Sequence, residues 1–187
     1  MEAVYVDQHY DLVVECKNGS RKAYNDLYKL YSRAMFNIAM RIVNDTEEAA
    51  DVLQEAFIDA FSRINDFRQE TTFGLWMKQI VINKSISQLR KRKIELISID
   101  DTDIESIPDE ETNDNEELEL QVRQVRTVIQ QLPDGYRVVL TLYLLEGYDH
   151  EEISHILEIS ENTSRTKYMR ARRKLVQMLR DKGISYN

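Results

Sequence analysis

The stretch DHEEISHILEISENTSRTKYMRARRKL, residues 149–175, decides how this chain is read. Asp149 followed three residues later by Glu152 is a capping-box pattern, in which each residue's carboxylate meets the other's backbone N–H. It opens a short helix through Ile153, Ile156 and Leu157. Glu158, Ile159 and Ser160 read as a tight turn, and the residues beyond form one long helix. That helix puts Ser164, Tyr168, Ala171, Leu175 and Met178 or Leu179 on a single core-facing side. Short helix, turn, basic helix is the helix-turn-helix pattern. The opposite side carries Arg165, Thr166, Met169, Arg170 and Arg173, and from residue 160 onward eight Lys or Arg stand against only Glu161 and Asp181. A merely solvated face mixes both signs, so this imbalance predicts contact with DNA, offered to a major groove.

Working outward, Leu118, Val122, Val125, Ile129 and Leu132 recur at four, three, four and three, which predicts a helix that Pro133 interrupts. A helix over about 136–145 follows, with Gly147 placed to end it. Upstream lies a stretch of the opposite character. Residues 94–122 hold twelve acidic side chains and no basic one, whereas 1–93 sum to +1 and 123–187 to +3, so the net charge of −8 sits in this one segment. Self-repulsion and few buriable side chains make 94–114 an extended acidic linker. It separates a first domain, 1–93, from a second, 115–187. Its carboxylates are expected to meet positive surface on a partner, or to screen the basic helix of the free protein.

The first domain also reads as consecutive helices. One over 10–17 ends at Asn18 and Gly19, and Ser20 caps a second whose stripe is Leu27, Tyr31, Ala34, Ile38 and Ile42 and which stops near Asn44. Asp45 with Glu48 opens a third. There Val52, Ala56, Ala60 and Phe61 face inward, and Asp51, Gln54, Glu55 and Ile58 share an outward face. A loop with Asn65, Asp66, Phe67, Arg68, Gln69, Thr71 and Thr72 leads into a fourth helix over about 72–93. Its stripe is Phe73, Trp76, Met77, Ile80 and Leu89, and it ends in Arg90, Lys91, Arg92 and Lys93. All elements are helical, with five glycines, two prolines and no alternating β-branched runs, so the fold class is all-α with two small domains.

Cys16 is the single cysteine, which excludes an internal disulfide and fits a reducing, cytoplasmic compartment. Residues 1–10 lack a basic and apolar leader, and no apolar run is long enough to span a membrane. His9, His150 and His155 have no metal-ligand spacing with Cys16 or a carboxylate pair, and no glycine-rich phosphate loop occurs. Enzymatic activity and a cofactor are therefore not expected, and the histidines are expected to be exposed or N-terminal.

The two domains and their order resemble the extracytoplasmic-function sigma factors of bacterial RNA polymerase, over about residues 9–181. The sequence DTEEAADVLQEAFIDAF at 45–61 is similar to the family's region 2.2, through Asp51, Gln54, Glu55 and Phe57. Phe67, Arg68, Phe73, Trp76, Met77 and Lys78 are similar to regions 2.3 and 2.4, and 132–147 with 149–175 to region 4. The resemblance implies a sigma factor that binds core polymerase, directs it to promoters and assists their opening. It implies docking on the beta-prime clamp helices through Asp51, Gln54, Glu55 and Ile58, and a region 4 contact to the beta flap. It implies minus-ten contacts from Asn65, Phe67, Arg68, Gln69, Trp76, Lys78 and Lys84. Phe73 and Trp76 also fit the apolar stripe of their helix, and as side chains belong to the core more readily than to a base pocket. Minus-thirty-five contacts would come from Ser160, Thr163, Arg165, Thr166, Met169, Arg170 and Arg173. An anti-sigma partner is a further implication.

Two residues depart from the family pattern. Glu158 stands where glycine is common, predicting a left-handed backbone under strain. Ser164 stands where an apolar residue is usual, predicting looser packing of the last helix. The competing reading is a stand-alone helix-turn-helix regulator of duplex DNA, which would leave the first domain without a role.

Overall fold

The computed structural model describes residues 7–96 and 116–183. Among these are eight α-helices: α1 Tyr10–Lys17, α2 Arg21–Val43, α3 Thr46–Ser62, α4 Phe73–Leu96, α5 Glu116–Gln130, α6 Asp134–Leu144, α7 His150–Leu157 and α8 Glu161–Asp181, with a 3-10 turn at Ile64–Asp66. The chain divides into two compact units, Met1–Ile99 and Asp100–Asn187. Most of the acidic linker expected at 94–114 lies outside the described residues, as does the side chain of Leu118.

In the first unit the helix ends are set where the sequence places them. Ser20 accepts from the Ala23 N–H, Asp45 accepts from the Glu48 N–H, and Asn44 closes α2 in the left-handed region with φ 59°. Asn44 reaches that conformation because a short polar side chain tolerates it better than a branched one. Glu48 gives its backbone N–H to that cap, while its carboxylate lies 3.5 Å from Arg92 on α4, and Arg92 also donates to the Val43 carbonyl at the end of α2. α2, α3 and α4 pack on one another, with α1 laid against α2. The burial on α2 differs from the simple stripe: Leu27, Ile38 and Ile42 are buried with Met35 and Ala39, while Ala34 is exposed. A helix with neighbours on several sides buries a wider arc than one period-matched row.

The second unit is centred on Val128, Ile129, Leu132, Leu140, Ala171, Leu175 and Leu179, from α5, the turn after it, α6 and α8. Val122 is exposed, so the apolar spacing of α5 overruns the part that packs. Both halves of the Asp149–Glu152 capping box form: Asp149 accepts from the Glu152 N–H and its own N–H donates to Glu152 Oε2, each at 2.8 Å. Gly147, at φ 79°, turns the chain between α6 and α7. Glu158 adopts φ 56°, the left-handed conformation expected at the turn into α8.

Arg137 at the start of α6 is only 3% exposed. It donates to the Leu132 carbonyl at 3.1 Å and to Asp134 Oδ1 at 2.8 Å, and so fastens the α5–α6 turn from inside.

Candidate functional site

Three surfaces carry side chains that folding leaves outside. On α3, the buried positions Ala49, Val52, Leu53, Ala56, Phe57 and Ala60 turn Asp51, Gln54, Glu55 and Ile58 to solvent. Ile58 is 67% exposed, the largest value among the exposed large hydrophobic residues described. A shallow groove beside it, between α3 and α4, is lined by Asp51, Glu55, Asp59, Lys84, Gln88 and Lys91. Lys84 does not stand there as an open phosphate ligand. Its Nζ lies 2.8 Å from Asp59 and 3.6 Å from Glu55, tying α4 to α3. The hydrogen bond raises the lysine pKa and lowers that of Asp59, so the pair stays ionised.

The second surface is the segment between α3 and α4. Asn65, Arg68, Gln69, Glu70 and Thr71 are exposed, and Gln69 holds a left-handed backbone with φ 62°. Phe67, expected as a contact, is 3% exposed and packs against Phe73 and Trp76 at centroid distances of 6.0 and 5.3 Å. It is a floor for the segment rather than an open stacking face, because an aromatic side chain here finds enough apolar neighbours to leave water. Phe73 is wholly buried, Trp76 is half-buried with its ring centroid 5.8 Å from that of Phe73, and Lys78 is half-buried. Of the terminal basic run, Arg92 is committed to Glu48 and Val43, and Arg90 and Lys91 are exposed.

The third surface is the outer side of α8. Ser160 caps the helix by accepting from the Thr163 N–H, and the two hydroxyls lie 2.7 Å apart, so both residues shape the helix start. Ser164, Ala171, Leu175 and Leu179 are buried and Tyr168 is half-buried. Arg165, Met169, Arg170 and Arg173 are exposed, Met169 at 54%, whereas Thr166 is half-buried. Arg165 pairs with Glu161 one turn earlier. Arg172, Lys174 and Arg180 are also exposed on α8 and add to its positive charge.

Ser164 does not leave a loose joint. Its hydroxyl lies 3.0 Å from Nδ1 of His150, whose ring stacks on Tyr143 at 4.6 Å and meets Tyr168 edge-on at 5.5 Å. His150 is thus a half-buried link between α6, α7 and α8, not the exposed histidine expected. Burial, and then the Arg165 charge, hold its pKa below the usual histidine value. His9 likewise is engaged, with Nδ1 2.9 Å from the Tyr31 hydroxyl. Among the described residues no cluster of His, Cys, Asp or Glu could hold a metal, and no helix is long and apolar enough to cross a membrane. Cys16 is buried, and burial pushes its thiol up to about 11, which makes it unreactive near neutrality.

The sequence pattern of Sigma-70 region 2 matches residues 27–94, and that of Sigma-70, region 4 matches residues 122–175. The RNA polymerase sigma-H factor of Pseudomonas aeruginosa is 30% identical over 178 residues, covering 89% of this chain and 91% of its own. The chain belongs to the extracytoplasmic-function (ECF) family of RNA polymerase sigma factors. The ECF sigma-E factor of Haemophilus influenzae is 31% identical, covering 86% of this sigma factor and 89% of its own length. SigW of Bacillus subtilis is 28% identical, covering 90% and 95%. The fold also matches the sigma factor RpoE of Bartonella quintana, solved in complex with the anti-sigma factor NepR. There the TM-score is 0.59 at 22% identity, over 85% of this chain and 98% of that one. CnrH, solved in complex with the cytosolic domain of CnrY, gives a TM-score of 0.56 at 21% identity, over 94% and 99%. As a sigma factor the protein is a transcription initiation factor rather than an enzyme, and it works with RNA polymerase and promoter DNA.

Proposed function

We propose that the three exposed surfaces divide the work of initiation. Asp51, Gln54, Glu55 and Ile58 dock the factor on the beta-prime clamp helices of core polymerase. Asn65, Arg68 and Gln69, over the Phe67–Trp76 floor, receive unpaired promoter bases at the minus-ten element. Arg165, Met169, Arg170 and Arg173, with Ser160 and Thr163 at the helix start, meet the minus-thirty-five element. The first domain, 1–93, thus docks and opens, the second, 115–187, reads duplex DNA, and 94–114 joins them as an acidic tether in the polymerase's basic cleft. A beta-flap contact for the second domain and capture by an anti-sigma protein complete the proposed partners, and the cytoplasm is the proposed compartment.

The observation that carries this reading is Ile58. Its β-branched apolar side chain is 67% exposed and shares one solvent-facing side of α3 with Asp51, Gln54 and Glu55, so that face offers an apolar centre flanked by carboxylates and an amide. Carboxylates around an apolar centre suit a basic helical partner: the ion pairs set register, and covering Ile58 adds affinity. Opening DNA without a nucleotide-driven motor needs binding energy that offsets lost stacking, and a loop of polar side chains backed by buried aromatics can hold an extruded base. On α8, an arginine can take both acceptors of guanine.

The test is retention of core polymerase. The variant carrying Asp51→Arg with Ile58→Asp is expected to stay folded and to lose core binding. Unchanged core affinity in the folded variant removes the docking assignment.

A further inference from the structure

The segment proposed to hold an unpaired base is fastened at both ends by residues that no contact set above includes. At its start, Lys17 on α1 donates from Nζ to the Phe67 carbonyl at 2.8 Å, with the ammonium 5.9 Å from the Phe67 ring centroid. At its end, Asp7 Oδ2 accepts from the Phe73 N–H at 2.7 Å, supplying the first turn of α4 with a cap from 66 positions away. The other oxygen of Asp7 accepts from the His9 N–H at 3.0 Å, and His9 in turn holds the Tyr31 hydroxyl, whose ring packs on Phe73 at 5.3 Å. Between the two fastenings lie residues 68–72, including Gln69 in its left-handed conformation. A non-glycine residue keeps such a backbone only where its surroundings over-determine it, and such strain gathers at functional loops.

We propose that Asp7 and Lys17 are positioning residues for promoter opening: by fixing both ends of 68–72 they set the shape in which Arg68 and Gln69 meet the unpaired base, and hence which base is accepted. This rests on the reading that the segment holds such a base. Both bonds involve a charged partner and a backbone group, which makes them stronger than neutral ones and indifferent to the identity of the loop side chains. Release of either end lets Gln69 relax to an ordinary backbone and moves its side chain off the position it now holds.

The experiment uses holoenzyme formed with full-length Lys17→Met, which keeps the aliphatic stem, with Asp7→Ala, and with the control Arg68→Ala/Gln69→Ala. Permanganate reactivity of minus-ten thymines is followed on promoters carrying each of the four bases at the opened positions. Each anchor variant is expected to slow opening roughly tenfold, the scale of one lost charged hydrogen bond, and to flatten the preference among the four bases. Core affinity and binding to a minus-thirty-five duplex stay at the unmodified level. Lys17→Arg restores both rate and preference, and Asp7→Asn restores part, because one amide oxygen replaces two acceptors. If the control fails in opening but the anchor variants open with unchanged rate and preference, the positioning role is wrong and the loop reading stands. Unchanged opening in the control as well overturns both. A loss of opening matched by equal losses of core binding and thermal stability assigns Asp7 and Lys17 to folding alone and also overturns the proposal.

Discussion

Glu161→Gln is predicted to tighten promoter binding while lowering the stability of the second unit. Glu161 opens α8 and pairs with Arg165 one turn on, both side chains about half exposed. An exposed pair at this spacing is worth about 0.3–0.5 kcal/mol, which Arg165 gives up on turning toward a base. The Glu161 carboxylate also repels phosphates, by about 0.5 kcal/mol at 8 Å in water before screening. Together these amount to about 1 kcal/mol, or roughly fivefold in affinity at low salt, falling toward twofold as salt rises. The same substitution removes an anionic group from the N-terminus of α8 and so costs roughly 0.5–1 kcal/mol of stability. Fluorescence anisotropy of holoenzyme on a promoter duplex at two salt concentrations measures the first effect, and a thermal melt the second. In an Arg165→Ala background only the charge part of the gain remains. Weaker DNA binding by Glu161→Gln would refute the reasoning, because it would make Glu161 itself a contact, such as an acceptor from a cytosine amino group.

Arg137→Ala leaves the Leu132 carbonyl without its donor in a buried turn and is expected to cost about 3 kcal/mol, read by denaturant melting. A loss under about 1 kcal/mol would contradict the role given to this bond. His150 is neutral in the folded unit at a pH where the unfolded chain takes up a proton. Stability from this group is therefore full above the usual value of about 6.5 and declines as pH falls below it. His150→Phe, which keeps the stack on Tyr143, should flatten that decline in melts between pH 7 and 5. Gly74→Ala would place a Cβ 2.9 Å from the Tyr31 ring, which Phe73 and His9 hold in place. Overpacking of about 1–3 kcal/mol should outweigh the roughly 1 kcal/mol that alanine adds to a helix, giving a lower melting temperature where propensity alone predicts a higher one.

Local grammar made most of the fold legible. Ser20, Asp45 and the Asp149–Glu152 pair each cap the helix they precede, and Gly147 and Glu158 bend the chain where the pattern breaks. The exposed faces of α3 and α8 could be read because residues three and four apart share a side whatever the packing partner is. Contacts between distant positions left no such trace. Nothing near Lys84 in sequence announces Asp59, and nothing near Phe73 announces Asp7. The helical stripe reads Trp76 as core and leaves Phe67 as the open ring, yet packing among Phe67, Phe73 and Trp76 buries Phe67 and leaves Trp76 half open. Ala34 and Val122 fall on good helical stripes and still face solvent, because periodicity defines a side of a helix and the neighbours decide how far along it burial extends. Ser164 departs from the family's usual residue type, yet only the fold reveals His150 within hydrogen-bond reach of its hydroxyl.

The division of labour between the units is tested most directly by run-off transcription with purified core polymerase, a promoter library and the full-length protein, read together with permanganate reactivity. The account predicts that the chain binds core polymerase and yields transcripts from a defined set of promoters, with reactive thymines at their minus-ten elements. It further predicts that Asp51→Arg with Ile58→Asp abolishes both signals without unfolding the protein. A chain that binds promoter duplex by itself, gains nothing from core polymerase and leaves the thymines unreactive would contradict it, and would make the protein a helix-turn-helix regulator of duplex DNA.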